Sequence, residues 1–490
     1  MIKKREVELK LEFDPACIDE FLTATVFTEC PGRNDTQTST YFDTPDHILR
    51  KTGLSLRIRA IGQRRIQTIK DESAPAAGLF ARPEWEFPIE GDFPILEGTR
   101  NPVQRLVAAH DLKRLVPIFR IVVERETREI EVDDARIELV FDRGQIIAGY
   151  HTVPICEVEL ELREGAPETI FALARMFDVV TPLRLSVLSK AQQGYRLLDG
   201  NADQPVRWTP LLLTDRMTAS DGFEAIAYAC VRQFRLNQLI VERLDCPEAV
   251  HQARVALRRL RSAMAIFKTT VADDRLEYLK QGLRWIGREL DDARNLDVLL
   301  AHSPDVSVQL PLNQMRVHAY ATARAALSSP RLRTLTFDLV EWITIGNWRT
   351  RYGNDAIDRQ LDSFAAKALD QCRRRVKQRG RHWKRLDDKG RHKLRIEAKK
   401  LRYAADDFDE LFAATNGARR HKPFQKALRA LLGNLGILND RITGAALLGH
   451  LGVPNPANQT LKDSGKEEKL LLKASAKDFR KLISEKRFWR

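Results

Sequence analysis

The stretch HQARVALRRLRSAMAIF, residues 251–267, recurs as HKLRIEAKKLRYAADDF at residues 392–408. Six positions are identical, and His, Arg, Arg or Lys, and Arg return at offsets of zero, three, seven and ten. On an α-helix those offsets fall within an arc of about 80°. His251, Arg254, Arg258 and Arg261 therefore make one stripe, and His392, Arg395, Lys399 and Arg402 make a second. The opposite faces are apolar: Leu257, Leu260, Met264 and Phe267, then Ala398, Leu401, Ala405 and Phe408. Each stripe looks away from its own core. One basic stripe alone reads as a solvated face, but such a face ordinarily mixes Glu and Asp into its i,i+4 pairs, and these stripes contain no acid.

Working outward, a period of 3.6 runs from residue 223 to the end, through amphipathic stretches at 223–243, 248–269, 274–301, 311–328, 331–345, 355–379, 389–412, 422–448 and 464–487. About thirty residues after each stripe comes a second echo, ELDDARNLDVLL (289–300) and NLGILNDRITGAALL (434–448). The economical reading is two equivalent helical bundles related by duplication. Two basic faces opposed across a groove suit a linear chain of phosphates, which Arg grips bidentately and Lys meets as a point charge. Single-stranded nucleic acid is the competing ligand, and it is disfavoured because few aromatics beyond Tyr403 and Trp383 accompany the stripes for base stacking.

The first 200 residues keep a different period. EVELKLEF, SLRIRAI, RIQTIK, EWEFPI, RIVVERETREIEV, RIELVF and ICEVELEL alternate with period two between turn residues, with helical stretches around PACIDEFLTATV and ETIFALARMF. These predict a mainly antiparallel β domain at 1–201 with peripheral helices, a Pro- and Gly-containing linker at 202–222 and an all-helical domain at 223–490. Charge divides the same way. The net charge of +14 is the sum of −6 over residues 1–200 and +20 beyond them, which assigns the second half to a polyanion. No run of about eighteen apolar residues occurs and the first residues are charged, so the expectation is a soluble cytoplasmic protein without a membrane partner. The six cysteines are scattered, without a CxxC pair, and read as buried free thiols.

In EVELK, Glu6, Glu8 and Lys10 share one face of a strand, and Glu157, Glu159 and Glu161 do the same in CEVELEL. Either strand alone reads as half-exposed, with its charges in water. The sum is more suggestive: Arg57 and Arg59, Lys70, Glu84 and Glu86, Arg125 and Asp142 alternate likewise. Inside a closed barrel they would form a tunnel with carboxylates for a hard cation and cations for phosphates.

The HxxRVxxRRLR and HxxRIxxKKLR pair, with LDDARNLD and LGILND, resembles the CHAD domain over about 223–490. That resemblance implies two four-helix bundles with a basic groove for inorganic polyphosphate, formed by the eight stripe residues. Over about 1–200, ExExK followed in order by TYFDTPD, GLSLRIR, IQTIK, VFDRG, ICEVELE and LSKAQQGY resembles the CYTH superfamily of triphosphate tunnel enzymes. It implies an eight-stranded antiparallel tunnel, and a Mg²⁺- or Mn²⁺-dependent enzyme that hydrolyses triphosphate to pyrophosphate and phosphate. Carried over by residue, Glu6, Glu8, Asp142, Glu157 and Glu159 would hold metal. Lys10, Arg57, Arg59, Lys70, Arg125 and Lys190 would cradle the triphosphate, with Tyr41 and Lys70 as the catalytic pair that deprotonates water. Phe42 departs from the second tyrosine common in that motif. The rivals are a thiamine or nucleoside triphosphatase, an adenylyl cyclase, or a non-catalytic binder of polyphosphate or nucleic acid; a plain anion gripper would gain nothing from five carboxylates.

Overall fold

The computed structural model describes the chain apart from residues 1–6, 23–29, 74–75, 81–82, 97–101, 133, 303–305, 351–358, 413–416 and 451–460. Glu6 thus lies outside the described residues. Among the described residues ten strands form one antiparallel sheet: β1 (Val7–Glu12), β2 (Arg33–Asp43), β3 (Leu54–Ile61), β4 (Arg64–Asp71), β5 (Leu79–Phe80), β6 (Glu84–Ile89), β7 (Val116–Val132), β8 (Ala135–Ala148), β9 (His151–Glu164) and β10 (Arg184–Leu185). Their order is β10-β1-β9-β8-β7-β2-β3-β4-β6, with β5 also on β1. The eight expected strands are those of six or more residues. The two-residue strands β5 and β10 are additions, each pairing with β1, and both are too short for a periodicity to reveal.

Strand alternation decides what each face meets. On one face Leu139, Phe141, Val158 and Leu160 are buried; Phe21, from helix Ile18–Leu22, lies 5.7 Å from Phe141 and 5.3 Å from Phe177 of helix Glu168–Val180. The other face changes character along its length. Phe119, Ile121, Val123, Ile146, Ala148, Ile155 and Tyr41 form an apolar core with Ala191, Tyr195 and Leu197 of helix Lys190–Leu198. Farther along the same strands that face carries Arg125, Glu138, Asp142, Glu157, Glu159 and Glu161. Helix and sheet approach so closely that a Cβ on Gly194 would strike the Phe119 ring. On β2, β3 and β4 the opposite parity, Phe42, Leu54, Leu56, Ile58 and Ile69, makes a second core. The sheet curls, because side chains from all eight longer strands line one cavity.

The first compact unit takes in Met1–Val206, Arg235–Ile240 and Ser328–Gly346, so it is not one continuous stretch. Buried Arg235 donates to the Leu185 carbonyl (3.1 Å) and to Glu12 (2.7 Å). Arg175 meets Asp338 and Glu341 at 2.8 Å each, and Arg333 meets Asp178 at 2.6 Å.

The second unit, Arg207–Phe234, Val241–Leu327 and Asn347–Arg490, is helical. Helices Pro247–Ile266, Leu276–Glu289, Asp291–His302 and Val306–Leu327 pack among themselves, as do Leu361–Gly380, Asp388–Asp407, Gly417–His450 and Leu461–Ser484. The stretch expected to be one amphipathic run at 274–301 breaks at buried Leu290, after which Asp291 and Asp292 open a new helix. The two stripe-bearing helices touch. Between them Arg259, wedged against the rings of Trp208 (3.8 Å) and Tyr403 (4.9 Å), pairs with Asp407 and Asp406. At the C-terminus Phe488 and Trp489 are buried, and Asp370 accepts from Trp489 Nε1 at 3.0 Å.

The cysteines are free, but only Cys156, Cys230 and Cys372 are buried; Cys17, Cys30 and Cys246 are half-buried, a correction to the expectation of six buried thiols. No helix among the described residues is long and apolar enough to cross a membrane.

Candidate functional site

The curled sheet encloses a cavity of about 200 Å³. Strand register brings its walls together: Lys10 lies opposite Glu159 and Glu8 opposite Glu161, Ser55 opposite Lys70, Tyr41 and Thr68 on either side of Arg57, and Lys70 opposite Glu84. Lys10, Arg57, Arg59, Lys70, Arg125, Lys190 and Tyr41, the proposed triphosphate and catalytic residues, all line it. Tyr41 and Lys70 have separate anchors. The Tyr41 hydroxyl accepts a 3.4 Å hydrogen bond from Arg57 Nη1 and its ring stacks on Phe119, whereas Lys70 Nζ lies 2.7 Å from Glu84. The Nε groups of Arg57 and Arg59 are buried with no acceptor among the described residues. A buried unsatisfied donor is costly, so these two point to an anion.

Charge sets the protonation of the wall. Burial opposes ionisation of Glu84, but Lys70 and Arg57 outweigh it and hold the carboxyl down at about 2. Burial, with the Glu84 carboxylate, pushes Glu86 up. For Glu159 burial is likewise overcome, by Lys10, Lys190 and Arg125, and the carboxyl sits well below its ordinary range.

The expected metal ligands divide. Glu8 and Glu159 line the cavity, while Asp142 and Glu157, 0% and 3% exposed, do not. Lys190 Nζ lies 2.8 Å from Asp142 Oδ2, 2.8 Å from Glu157 Oε2 and 2.7 Å from Glu159 Oε1. Arg125 grips Asp142 with two hydrogen bonds, of 2.7 and 2.6 Å. Among the described residues no group of three or more His, Cys, Asp or Glu is arranged to hold a metal ion, and the Asp142, Glu157 and Glu159 oxygens close on an ammonium instead. Mg²⁺ is commonly held by one or two carboxylates together with substrate phosphates. Glu8 and Glu159 meet that requirement by number and by facing the cavity, although Lys10 Nζ lies between them, 3.0 Å from Glu8 Oε1 and paired with Glu159 Oε1; Asp142 and Glu157, buried against Lys190, do not.

Sequence reasoning did not assign Glu72, Glu138, Arg163 and Ser189 to the site, yet all four line the cavity. For Glu138 and Arg163 the signal was present, since they share strand parity with Asp142 and with Glu157 to Glu161. Glu72 accepts from Ser55 (3.2 Å) and Ser189 (3.0 Å), and Ser189 caps the helix whose first residue is Lys190. That link crosses 117 residues, beyond any local pattern.

In the second unit both stripes line one cavity of about 430 Å³. His251, Arg254 and Arg258 come from one helix, Arg395, Lys399 and Arg402 from the other, joined by Arg294, Arg429 and Asp440 from the echoes and neighbouring turns. Arg261 and His392 are not on this wall; His392 Nδ1 instead meets Asn439 at 2.7 Å. Among the described residues, Nε of Arg258, Arg395 and Arg402 is buried without a hydrogen-bond acceptor. Burial, with Arg258, Arg395 and Arg402, lowers the Lys399 ammonium to about 6. Burial, with Arg294 and Arg258, lowers His251 to about 4. Such a crowd of cations is held at the expense of its own protonation.

The CYTH domain family matches residues 4–195 and the CHAD domain family matches residues 225–449. An inorganic triphosphatase of Haemophilus influenzae is 34% identical over 202 residues, 40% of this chain and 56% of that protein; the chain spans just over half the length of this relative. Among solved structures, the CHAD domain of the plant Ricinus communis is 25% identical with a TM-score of 0.48, covering 58% of this chain and 98% of that one. A Hippeastrum protein with a dominant triphosphatase activity is 20% identical with a TM-score of 0.31, covering 39% and 95%. The chain thus carries a CYTH domain followed by a CHAD domain.

Proposed function

We propose that the first unit hydrolyses inorganic triphosphate to pyrophosphate and phosphate, and that the second binds inorganic polyphosphate. The observation that carries the enzymatic reading is the cavity wall, where Arg57 and Arg59 present buried, unsatisfied N–H groups beside Lys10, Lys70 and Lys190. Transfer of a phosphoryl group to water requires the charge of the reacting oxygens to be absorbed, and preorganised cations do so without reorganisation. Arg57 and Arg59 would take the phosphate oxygens, Lys10 and Lys70 the neighbouring charge, while the carboxylates Glu8 and Glu159 would hold Mg²⁺ or Mn²⁺. When bound, such an ion supplies further neutralisation of the phosphate oxygens and orients them. Among the described residues Tyr41 is the one aromatic that lines this wall, and it is buried, 4% exposed, with its ring stacked on Phe119. A base therefore finds no free face for stacking, which favours bare triphosphate over thiamine or nucleoside triphosphates and over cyclase chemistry.

The test is phosphate release from triphosphate, ATP and thiamine triphosphate side by side with Mg²⁺ or Mn²⁺. Triphosphate is expected to be the best substrate, and Glu8→Gln is expected to lower turnover by about 10²-fold or more with the fold intact. A folded Glu8→Gln variant of undiminished activity would remove this residue from the site, and preference for ATP would restore the nucleotide reading.

For the second unit, the buried Nε atoms of Arg258, Arg395 and Arg402, which have no hydrogen-bond acceptor among the described residues, support a bound polyanion. Long-chain polyphosphate is expected to bind more tightly than single-stranded DNA at matched ionic strength. Tighter DNA binding would favour the nucleic-acid reading.

A further inference from the structure

Lys190 occupies the position that a cation would take. Its Nζ stands 2.7–2.8 Å from one oxygen each of Asp142, Glu157 and Glu159. The oxygens face inward together because β8 and β9 pair Asp142 with Glu157, and β1 and β9 pair Lys10 with Glu159. Its backbone is the first residue of a helix capped by Ser189, with Glu72 fixing that cap. The ammonium is therefore delivered into the cage by an anchored element.

We propose that Lys190 is a tethered competitor for this carboxylate cage, closing it to divalent cations for as long as its ammonium stays there. Removing the ammonium leaves three clustered carboxylates faced, among the described residues, by the cations Arg125 and Lys10 and by the Gln193 amide on Glu157, an uncompensated buried charge that a hard dication would relieve. The proposal concerns the cavity assigned above to triphosphate, but it is read in the absence of triphosphate, so its outcome is independent of which substrate the enzyme takes or whether it turns over.

The experiment is a Mn²⁺ titration of the full chain, followed by electron paramagnetic resonance and by thermal melting, for wild type, Lys190→Met and Lys190→Arg. Lys190→Met is expected to bind Mn²⁺ at least about tenfold more tightly than wild type, and its melting temperature to rise with Mn²⁺ by clearly more than that of wild type. Lys190→Arg, which keeps a cation, should behave as wild type. Should Lys190→Met fold only when Mn²⁺ is present, the proposal is supported by that dependence. If it does not fold in any buffer, Lys190→Gln carries the same titration. Equal Mn²⁺ affinity of wild type and the folded neutral variant, or a gain shared by Lys190→Arg, overturns the proposal.

Discussion

Lys399 is where the electrostatics of the second cavity become measurable. Its ammonium is lowered to about 6 by burial and by Arg258, Arg395 and Arg402, against an ordinary value of 10.5. A base whose folded value is lowered costs stability as pH falls through the interval between the two values, and the cost levels off below about 6. A bound polyanion removes that penalty by raising the value again. Polyphosphate binding is therefore expected to tighten from pH 8 to pH 6 with net proton uptake, an uptake that Lys399→Met diminishes. Calorimetry in buffers of different ionisation enthalpy measures it, and pH-independent binding without proton uptake would refute it. In the first cavity, Arg57→Ala is expected to lower kcat/KM for triphosphate by about 10²–10³-fold, with Arg57→Lys intermediate because it keeps the charge but loses the fork. Steady-state rates decide this. Residue types were legible here because alternation and helical spacing expose which side chains share a face; partners such as Glu72 and Arg235 were not, since they arrive from distant segments.

At the scale of elements, the helix Lys190–Leu198 both covers the apolar part of the sheet and presents Lys190 to the charged part. Its seat depends on Gly194, where a methyl group would strike the Phe119 ring. Gly194→Ala is expected to destabilise the first unit by about 1–3 kcal/mol, as overpacking does, seen as a lower urea midpoint, and to reduce triphosphate turnover by displacing Lys190. An unchanged midpoint would mean that the ring yields freely. The long strands and stripe helices could be read from the sequence because each buries one face over many residues. The strands β5 and β10 could not, because two residues carry no period. Nor could the break at Leu290, because apolar spacing continues across it and the new helix is started by local charge.

At the scale of the molecule, the change of period near residue 200 marked a real change of architecture, but the first compact unit also recruits Arg235–Ile240 and Ser328–Gly346. A fragment of residues 1–201 would lack Arg235, which meets Glu12 and the Leu185 carbonyl, and Arg333, which meets Asp178. Hydrogen bonds to charged groups contribute about 1.5–3 kcal/mol each. The fragment is accordingly expected to be less stable by about 2 kcal/mol or more than the same strands in the full chain. Amide hydrogen exchange at β1 and β10 measures the difference, and equal protection would show that the recruited segments add nothing. The arrangement of the sheet's two ends bears on how the protein behaves at high concentration. A curled sheet left with bare margins invites a neighbouring chain to add its own strand. Here the margin of β1 beyond β9 is shared by β5 at Glu8 and Leu9 and by β10 at Leu11 and Glu12, while β6, at the other end, carries Pro88, which has no N–H to offer. An incoming strand would have to displace two separate segments at one margin and would meet an interrupted donor row at the other, so the same strands that build the cavity are guarded against templating fibrous self-association.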